Sequence, residues 1–298
     1  MEKFFKVPVN FEKNENRTIK DIKKDTLIGE VHFNDMLSTL NFTKEEKLFS
    51  DPVFLTLQLV ANINSFPILK SMNPELIPLL FDENTLNKFK GTPLFYFIKG
   101  HINEVREKTE KSVKKVNDFD NFFKIFLIYY SIVISKGIMI NLNNKPTLCL
   151  FPIMNKVRFT LNKEVINCKI EVNKDNKFLI KSIKDIEAGT NLFLPFNLTD
   201  SFEYNFIKYG LLPDSFTDTN ITLVVDDNLI TLSENMKDDD KIILRRIRKN
   251  PKYKDLKKKL KNIFDEKINE LTENKTEDKP ISDYIKHVLK LYKNNYPK

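Results

Sequence analysis

The spacing of hydrophobic and polar residues divides the chain into a strand-rich start, a helical middle, a second strand-rich part and a helical end. Residues 17–40 predict two short strands, RTIKDI and TLIGEVHF, on either side of a basic turn at residues 23–25, and Val31 and Phe33 alternate with polar positions in the second. Residues 45–140 carry apolar positions at helical spacing. Asp51-Pro52 is typical of a helix start, because the carboxylate caps the first N–H groups and proline fits the first turn. We predict further helices at residues 82–89, capped by Asp82 or Asn84, at 93–115 and at 118–136.

Strand patterns return in the second half of the chain. Residues 165–172 predict a strand, in which 168–172 (CKIEV) alternate apolar and charged side chains as a half-exposed strand does, and residues 173–176 (NKDN) predict a hairpin turn. Residues 238–262 predict a helix that is interrupted at Pro251. The remaining predictions are an extended arm at 4–10, strands at 148–153, 158–161, 178–183 and 192–194, a polar linker at 272–280 and a last amphipathic helix at 281–292.

The composition excludes several classes of protein. The 298 residues are 41% hydrophobic, which is enough for one large or two moderate domains. The two cysteines and three histidines are scattered and match no zinc-site or catalytic-triad spacing, and no glycine-rich phosphate loop is present. No stretch resembles a membrane span or a signal peptide. We therefore expect no metal, no membrane and a reducing intracellular compartment, cytoplasmic or nuclear in preference to organellar.

Four segments of the chain carry a family resemblance. Residues 17–37 read RTIKDIKKDTLIGEVHFNDML, residues 76–94 read LIPLLFDENTLNKFKGTPL, residues 184–190 read KDIEAGT and residues 206–213 read FIKYGLLP. In this order and spacing they resemble the SET-domain family that includes the Rubisco large-subunit methyltransferase and the actin-histidine methyltransferase. Each segment alone is a weak signal, whereas the collinear set is more specific.

The resemblance implies an α+β fold, in which a SET-like β-fold of short strands holds an inserted helical region. A short α-helical C-terminal domain would follow. The implied organisation is an N-terminal arm at 1–14, a SET-like domain at 15–213 with its helical insertion at about 45–140, and a basic helical region at 214–298. Active members of this family use S-adenosylmethionine to methylate a lysine or histidine of a protein.

The chain departs from the family at each position that would bind the cofactor or the methyl-accepting amine. The corresponding residues are Glu15 and Asn16 at a glycine turn, Lys136 in a Ser-Arg element, Asn155 at an Asp, Arg158 and Phe159 at an Asn-His pair, and Phe196 at the tyrosine of a Tyr-Gly pair. Phenylalanine cannot make the hydrogen bonds of a phenol, and Arg158 would oppose a cationic cofactor in a pocket of low dielectric. An alignment shifted by a few residues, with Lys156 or Asn162 making the contacts, stays open.

The positive charge of the chain is concentrated near its C-terminal end. Residues 245–262 (RRIRKNPKYKDLKKKLKN) carry ten Lys and Arg against one Asp, while the whole chain has a net charge of +8. Such clusters bind phosphate backbones, so RNA or another acidic surface is a candidate partner. The alternative is a solvated helix face with its apolar residues turned inward. The candidate contacts are Arg245, Arg246, Arg248, Lys249, Lys252, Lys257, Lys258 and Lys261.

Three interpretations of function follow from these observations. In the first, the chain is a SET-fold pseudoenzyme, without cofactor or catalytic residues, that binds proteins as an architectural subunit of a larger, RNA-containing or acidic assembly. In the second, it is an active protein N-methyltransferase with a diverged site, in which Tyr204 or Tyr209 supplies a phenol near the amine. In the third, it is a nucleic-acid-binding module with no SET ancestry, which would make the order of the four segments a coincidence.

Overall fold

A computed structural model of the chain defines twelve strands and seven α-helices among the residues that it describes. Those residues are 4–10, 17–48, 50–62, 77–113, 116–142, 145–151, 157–160, 162–173, 175, 177–196, 202–212, 221–225, 228–232 and 254–296. The strands are β1 (Val9–Asn10), β2 (Arg17–Thr18), β3 (Leu27–Val31), β4 (Leu37–Ser38), β5 (Ile138–Leu142), β6 (Lys145–Leu150), β7 (Arg158–Thr160), β8 (Cys168–Val172), β9 (Phe178–Ser182), β10 (Phe193–Pro195), β11 (Ile221–Val225) and β12 (Asn228–Leu232). The helices are α1 (Pro52–Ala61), α2 (Glu83–Asn87), α3 (Pro93–Ser112), α4 (Phe119–Lys136), α5 (Phe202–Tyr209), α6 (Lys254–Glu273) and α7 (Lys279–Asn294).

The chain forms two compact units that are each discontinuous in sequence. The first unit consists of Met1–Glu75 and Val105–Thr199, and the second consists of Leu76–Glu104 and Asp200–Lys298. These units cut the chain at other positions than the predicted domains, whose boundaries at 15 and 213 stay predictions.

Small sheets build the first unit. One sheet has the antiparallel order β3-β9-β8, a second has the order β4-β6-β5, and β7 pairs in parallel with β10. The predicted extended arm lies along β3, where the Lys6 N–H donates to the Ile28 carbonyl at 2.8 Å. In the buried core, the rings of Phe151 and Phe178 stack with their centroids 3.6 Å apart. Burial of such side chains is the main source of stability for a fold of short strands.

Two copies of the sequence Ile-Lys-Asp-Ile, at residues 19–22 and 183–186, interlock in this unit. Ile22 and Ile186 form an antiparallel bridge, in which each N–H donates to the carbonyl of the other residue at 2.8 Å. Their buried side chains enter the same core cluster. The pairing joins residues 164 positions apart, so it holds the segment before β3 against the segment after β9.

The aspartates of the two copies accept equivalent hydrogen bonds, each from a backbone N–H group that follows the other copy. The Asp21 carboxylate accepts from the Ala188 N–H at 2.8 Å, and the Asp185 carboxylate accepts from the Lys24 N–H at 2.8 Å. Each acceptor thus bonds the residue three positions after the other aspartate. The hydrogen bond from the Lys24 N–H, together with the nearby Lys23 ammonium, lowers the pKa of Asp185.

The correspondence between residues 164 positions apart continues into the turns that follow the two copies. Asp25 and Gly189, again 164 positions apart, both have left-handed backbones, with φ of 65° and 83°. The Asp25 N–H donates to the Ser182 carbonyl at 3.1 Å, and the Gly189 N–H donates to the Thr18 carbonyl at 2.7 Å. Glycine adopts this conformation without steric cost, and aspartate is among the few other residues that tolerate it.

The second unit packs helices around buried aromatic side chains. One face of α7 is buried at helical spacing, through Ile281, Tyr284, Ile285, Val288, Leu291 and Tyr292. Leu260 and Phe264 of α6 are buried as expected for the inward face of the basic helix. Gly91, with φ of 86°, lies where a Cβ would come within 2.9 Å of the Glu270 Cβ, so the close approach requires glycine. A hairpin of β11 and β12 precedes these helices.

Three element predictions are corrected by the structure. Residues 138–142 form strand β5 rather than the end of a helical region, because Gly137 ends α4 and the next residues pair with β6. The strand predicted at 148–153 spans Lys145–Leu150. Helix α6 extends to Glu273 instead of ending at 262, since its buried face continues to Leu271.

Candidate functional site

The C-terminal end of α4 places Lys136 in a buried position. Asp118 caps the start of this helix by accepting the Asn121 N–H at 3.1 Å, and the last seven residues of the helix are all buried. Lys136 is the last helical residue and only 7% exposed. A cation at this position also interacts favourably with the partial negative charge at the helix C-terminus.

The parallel pair of β7 and β10 carries two of the predicted site residues. Phe159 pairs with Leu194 and Arg158 pairs with Phe193, and the Phe196 N–H donates to the Thr160 carbonyl at 3.4 Å just beyond the strand. Side chains alternate along a strand. In agreement with this, Arg158 is exposed whereas Phe159 is partly buried against the core of the first unit.

Three predicted site residues come together at this strand pair. The rings of Phe159 and Phe196 stack with centroids 5.6 Å apart and planes inclined by 28°. The Lys136 ammonium lies 5.6 Å from the centroid of the Phe159 ring. An aromatic pair contributes about 0.5–1.5 kcal/mol beyond its buried area, and a partly desolvated cation over a ring about 0.5–2 kcal/mol. The three side chains therefore form one contact cluster, which we call the Phe159–Phe196 stack.

Asn167 anchors the strand that leads into this stack, and sequence reasoning missed it. Its side chain is almost fully buried, donates to the Asn191 carbonyl at 2.8 Å and accepts the Phe193 N–H at 2.8 Å. Its backbone N–H donates to the Phe193 carbonyl at 3.2 Å. An amide side chain within the predicted strand at 165–172 was the available signal, because a buried amide requires partners for both its donor and its acceptor.

The two fallback tyrosines lie on α5, in the second unit. Tyr209 is buried and Tyr204 is partly buried, and burial raises the pKa of the Tyr204 phenol. A raised pKa means that this phenol stays protonated at neutral pH, so it is a hydrogen-bond donor rather than a base. Lys208, between them in sequence, is also buried.

Several predicted site residues lie outside the described part of the chain. They are Glu15, Asn16, Asn155, Arg245, Arg246, Arg248, Lys249 and Lys252. Of the remaining basic candidates, Lys257 lies within α6, and Lys258 and Lys261 are exposed on that helix.

The described residues show no cluster of ligands for a metal. No group of three or more His, Cys, Asp or Glu side chains comes together in this part of the chain. Cys149 and Cys168 are free, buried thiols, and burial raises the pKa of each to about 12. Such thiols are protonated at neutral pH and chemically inert. Among the described helices, none is long and apolar enough to cross a membrane.

Comparison with known proteins identifies the fold. Neither a protein-family model nor a curated protein sequence matches the chain. Solved structures match it over nearly its whole length. The SET domain of LSMT bound to methyllysine and AdoHcy has a TM-score of 0.65 at 14% identity, covering 97% of this chain and 86% of that one. Rubisco LSMT bound to AdoMet has a TM-score of 0.64 at 12% identity, covering 97% and 85%. Rubisco LSMT bound to sinefungin and monomethyllysine has a TM-score of 0.59 at 13% identity, covering 96% and 84%. The chain therefore has a SET-domain fold, as the collinear segments predicted.

Proposed function

We propose that this chain is a SET-fold protein that no longer transfers methyl groups and that acts as a protein-binding or architectural subunit of a larger assembly. The observation that carries the proposal is the Phe159–Phe196 stack. The resemblance aligns these rings with a histidine and a tyrosine of active relatives, and in this chain they contact each other.

The physical argument concerns what methyl transfer requires. The displacement at a sulfonium centre is accelerated by positioning the amine and by polar groups arranged around the developing charge. Two phenylalanine rings supply neither hydrogen bonds nor a proton acceptor. The Lys136 ammonium, 5.6 Å from the Phe159 ring, keeps the positive charge of the arginine that the resemblance implies at this position, so the chemical loss concerns the two aromatic positions.

Calorimetric titration with S-adenosylmethionine and S-adenosylhomocysteine tests this proposal. We expect no detectable binding to the folded protein. Binding at micromolar affinity, about −8 kcal/mol, would refute the loss of the cofactor site. The variant Phe196→Tyr adds back the phenol, while Phe196→Leu removes the ring stacking without adding a hydroxyl and serves as its matched control. Methyltransferase activity in Phe196→Tyr but not in Phe196→Leu would show that the cofactor still binds and that only the phenol is missing, which would also refute the loss of the cofactor site.

The second candidate function is an active S-adenosylmethionine-dependent protein-lysine or histidine N-methyltransferase with a diverged site. It is favoured by the similar structures, whose bound molecules include AdoMet, AdoHcy and methyllysine. In this case Tyr204 or Tyr209 would supply the phenol near the amine. Cofactor binding together with loss of activity in a Tyr204→Phe or Tyr209→Phe variant would establish this function in place of the first.

The basic segment supports the partner part of the proposal. Residues 245–262 concentrate the positive charge of the chain, so an RNA-containing or otherwise acidic assembly is the proposed partner. Charge reversal at Arg245, Arg246 and Arg248 should weaken binding to RNA and reduce the salt dependence of log K by up to about 3. Reversal of three exposed lysines on α7, Lys279, Lys286 and Lys293, is the control for net charge alone. Equal effects of the two variants would refute a specific contact through the arginines.

A further inference from the structure

Lys208 is a buried lysine near the end of α5. It retains 8% of its exposure, and the last four residues of the helix, from Phe206 to Tyr209, are all buried. Around the helix, the ring of Phe206 lies 5.3 Å from that of Phe89, and Phe202 lies 5.7 Å from Tyr284 of α7. The helix that carries Lys208 is thus packed through aromatic side chains on both sides of its sequence position.

The Lys208 ammonium has no acidic partner among the described residues. Its observed contact is the ring of Tyr209, whose centroid lies 4.8 Å from the Nζ atom. Lys267 on α6 provides a contrast, because its Nζ lies 3.0 Å from carboxylate oxygens of both Glu266 and Glu270. Burial without a counter-charge destabilises an ammonium ion, whereas carboxylates stabilise it.

The protonation of the two lysines follows from these surroundings. Desolvation lowers the pKa of Lys208 to about 8, while hydrogen bonds raise the pKa of Lys267. Besides Lys208, the titratable groups on α5 are Glu203, Tyr204 and Tyr209, and Tyr284 of α7 packs against this helix through the Phe202 ring. At pH 7.5 the unprotonated fraction of an amine with pKa near 8 is on the order of 200 times that of an ordinary lysine.

Tyr204 adds a second functional group on the same helix face. It precedes Lys208 by four residues, the spacing at which side chains of an α-helix are neighbours. Its phenol has a raised pKa and so retains its proton at neutral pH. An amine with an appreciable unprotonated fraction at neutral pH, four helical residues from a phenol that can donate a proton, is suited to imine formation with carbonyl compounds.

We propose that Lys208 is a nucleophilic amine that binds small aldehydes covalently. The Nζ lone pair attacks the carbonyl carbon, and a proton moves from nitrogen to oxygen to give a carbinolamine. Loss of water then leaves a C=N bond between the aldehyde carbon and Nζ. The Tyr204 phenol assists by protonating the departing hydroxyl and is reprotonated from the nitrogen. The aldehyde must be small, because the side chain has little exposed surface.

Reductive trapping on the intact wild-type protein tests this proposal. The protein is incubated with propionaldehyde and sodium cyanoborohydride between pH 6 and pH 10.5, and the modification of each lysine is followed by peptide mass spectrometry. Lys267 is the ion-paired comparison and Lys293 is the exposed one. The larger unprotonated fraction of Lys208 speeds the reaction, but a less basic amine is also less nucleophilic, which offsets part of this gain. We therefore expect Lys208 to react about tenfold faster than either comparison lysine at pH 7.5. Its rate should level off above about pH 8.

Two results would overturn the proposal. One is modification of Lys208 no faster than that of Lys293 at pH 7.5. The other is a Lys208 rate that continues to rise above pH 10, as expected for an ordinary ammonium group. Tyr204→Phe should lower the rate at Lys208 several-fold without changing that at Lys293, and Lys208→Met should remove the fast-reacting site while retaining a side chain of similar length.

Discussion

Asn167 provides the sharpest test of how the site region is held together. Its amide joins the start of β8 to the segment that forms β10, through the Phe193 N–H and the Asn191 carbonyl, both at 2.8 Å. The Asn167→Ala substitution removes these two hydrogen bonds, together with a weak one from the Cys168 thiol at 3.2 Å, and leaves a backbone donor and a backbone acceptor without these partners. The strand concerned leads directly to Phe196 and hence to the Phe159–Phe196 stack.

The size of the effect can be worked out from these two bonds. Each neutral hydrogen bond contributes about 0.5–1.5 kcal/mol net, and a buried group left without a partner costs about 1–3 kcal/mol. Asn191 and Phe193 are both partly exposed, so hydrogen bonds to water can offset part of the lost stability. We therefore expect Asn167→Ala to lower the free energy of unfolding of the first unit by about 2–3 kcal/mol.

The Asn167→Asp substitution distinguishes the contributions of the two hydrogen bonds. It keeps an oxygen to accept the Phe193 N–H but places a second carboxylate oxygen opposite the Asn191 carbonyl. Burial and this repulsion raise the pKa of the introduced carboxyl above the unfolded value of about 3.9. A raised pKa means that the stabilising form is the protonated acid, which is present at low pH and lost as the pH rises through the folded pKa. The deficit relative to wild type should therefore be smaller at pH 4.5 than at pH 7.5.

Two measurements on both variants check this reasoning. Urea unfolding followed by circular dichroism gives the change in free energy, and hydrogen–deuterium exchange reports the Phe193 amide directly. Faster exchange at Phe193 is expected in Asn167→Ala, with smaller change in Asn167→Asp. A loss of less than about 0.5 kcal/mol, the range of ordinary surface substitutions, together with unchanged exchange would refute the assigned role.

Three further predictions concern helix α3, helix α1 and the sheet. Gly100→Ala should raise stability by about 0.5–1 kcal/mol in thermal unfolding, because a Cβ there meets nothing within 4 Å and alanine favours the helix; a lower melting temperature would contradict it. Asp51→Ala should cost about 0.5–2 kcal/mol in urea unfolding, since its carboxylate caps two N–H groups at 2.8 and 3.2 Å, and Asp51→Asn should restore most of the loss. Hydrogen bonds from Lys169 and Lys181 lower the pKa of Glu171 to about 2, so its stabilising effect is present above pH 4.5 and lost as the pH falls towards 2. Glu171→Gln should flatten unfolding free energy against pH in that window, and an unchanged profile would refute the ion-pair contribution.

Local signals along the chain were sufficient for the helix starts. Asp51 and Asp118 both cap helices through hydrogen bonds to backbone N–H groups within three residues. The NKDN turn behaves in the same way, because the Asn173 side chain accepts the N–H groups of Asp175 and Lys177. Interactions of this kind depend only on neighbours in sequence, so they can be predicted from it.

Features that depend on residues distant in the sequence could be predicted only in part. The order of the four segments predicted the SET-like fold, because motif order survives when identity has fallen to 14%. The strand β5 and the extension of α6 to Glu273 were not predicted, since each depends on a partner elsewhere: β6 for the strand, and a buried face that continues to Leu271 for the helix. Short apolar runs fit a helix or a strand equally well until such a partner is known.

By itself, the sequence determined the helix caps, the hairpin turn, the fold class and the identity of the residues at the altered positions. The tertiary structure decided which of those residues meet. It brought Phe159 and Phe196 into one stack, gave Asp21 and Asp185 equivalent hydrogen bonds, and buried Lys208 with no carboxylate partner in the described part of the chain. The physical reason is that hydrogen bonding, ring contact and desolvation act through space, between residues that the chain itself can separate by more than a hundred positions.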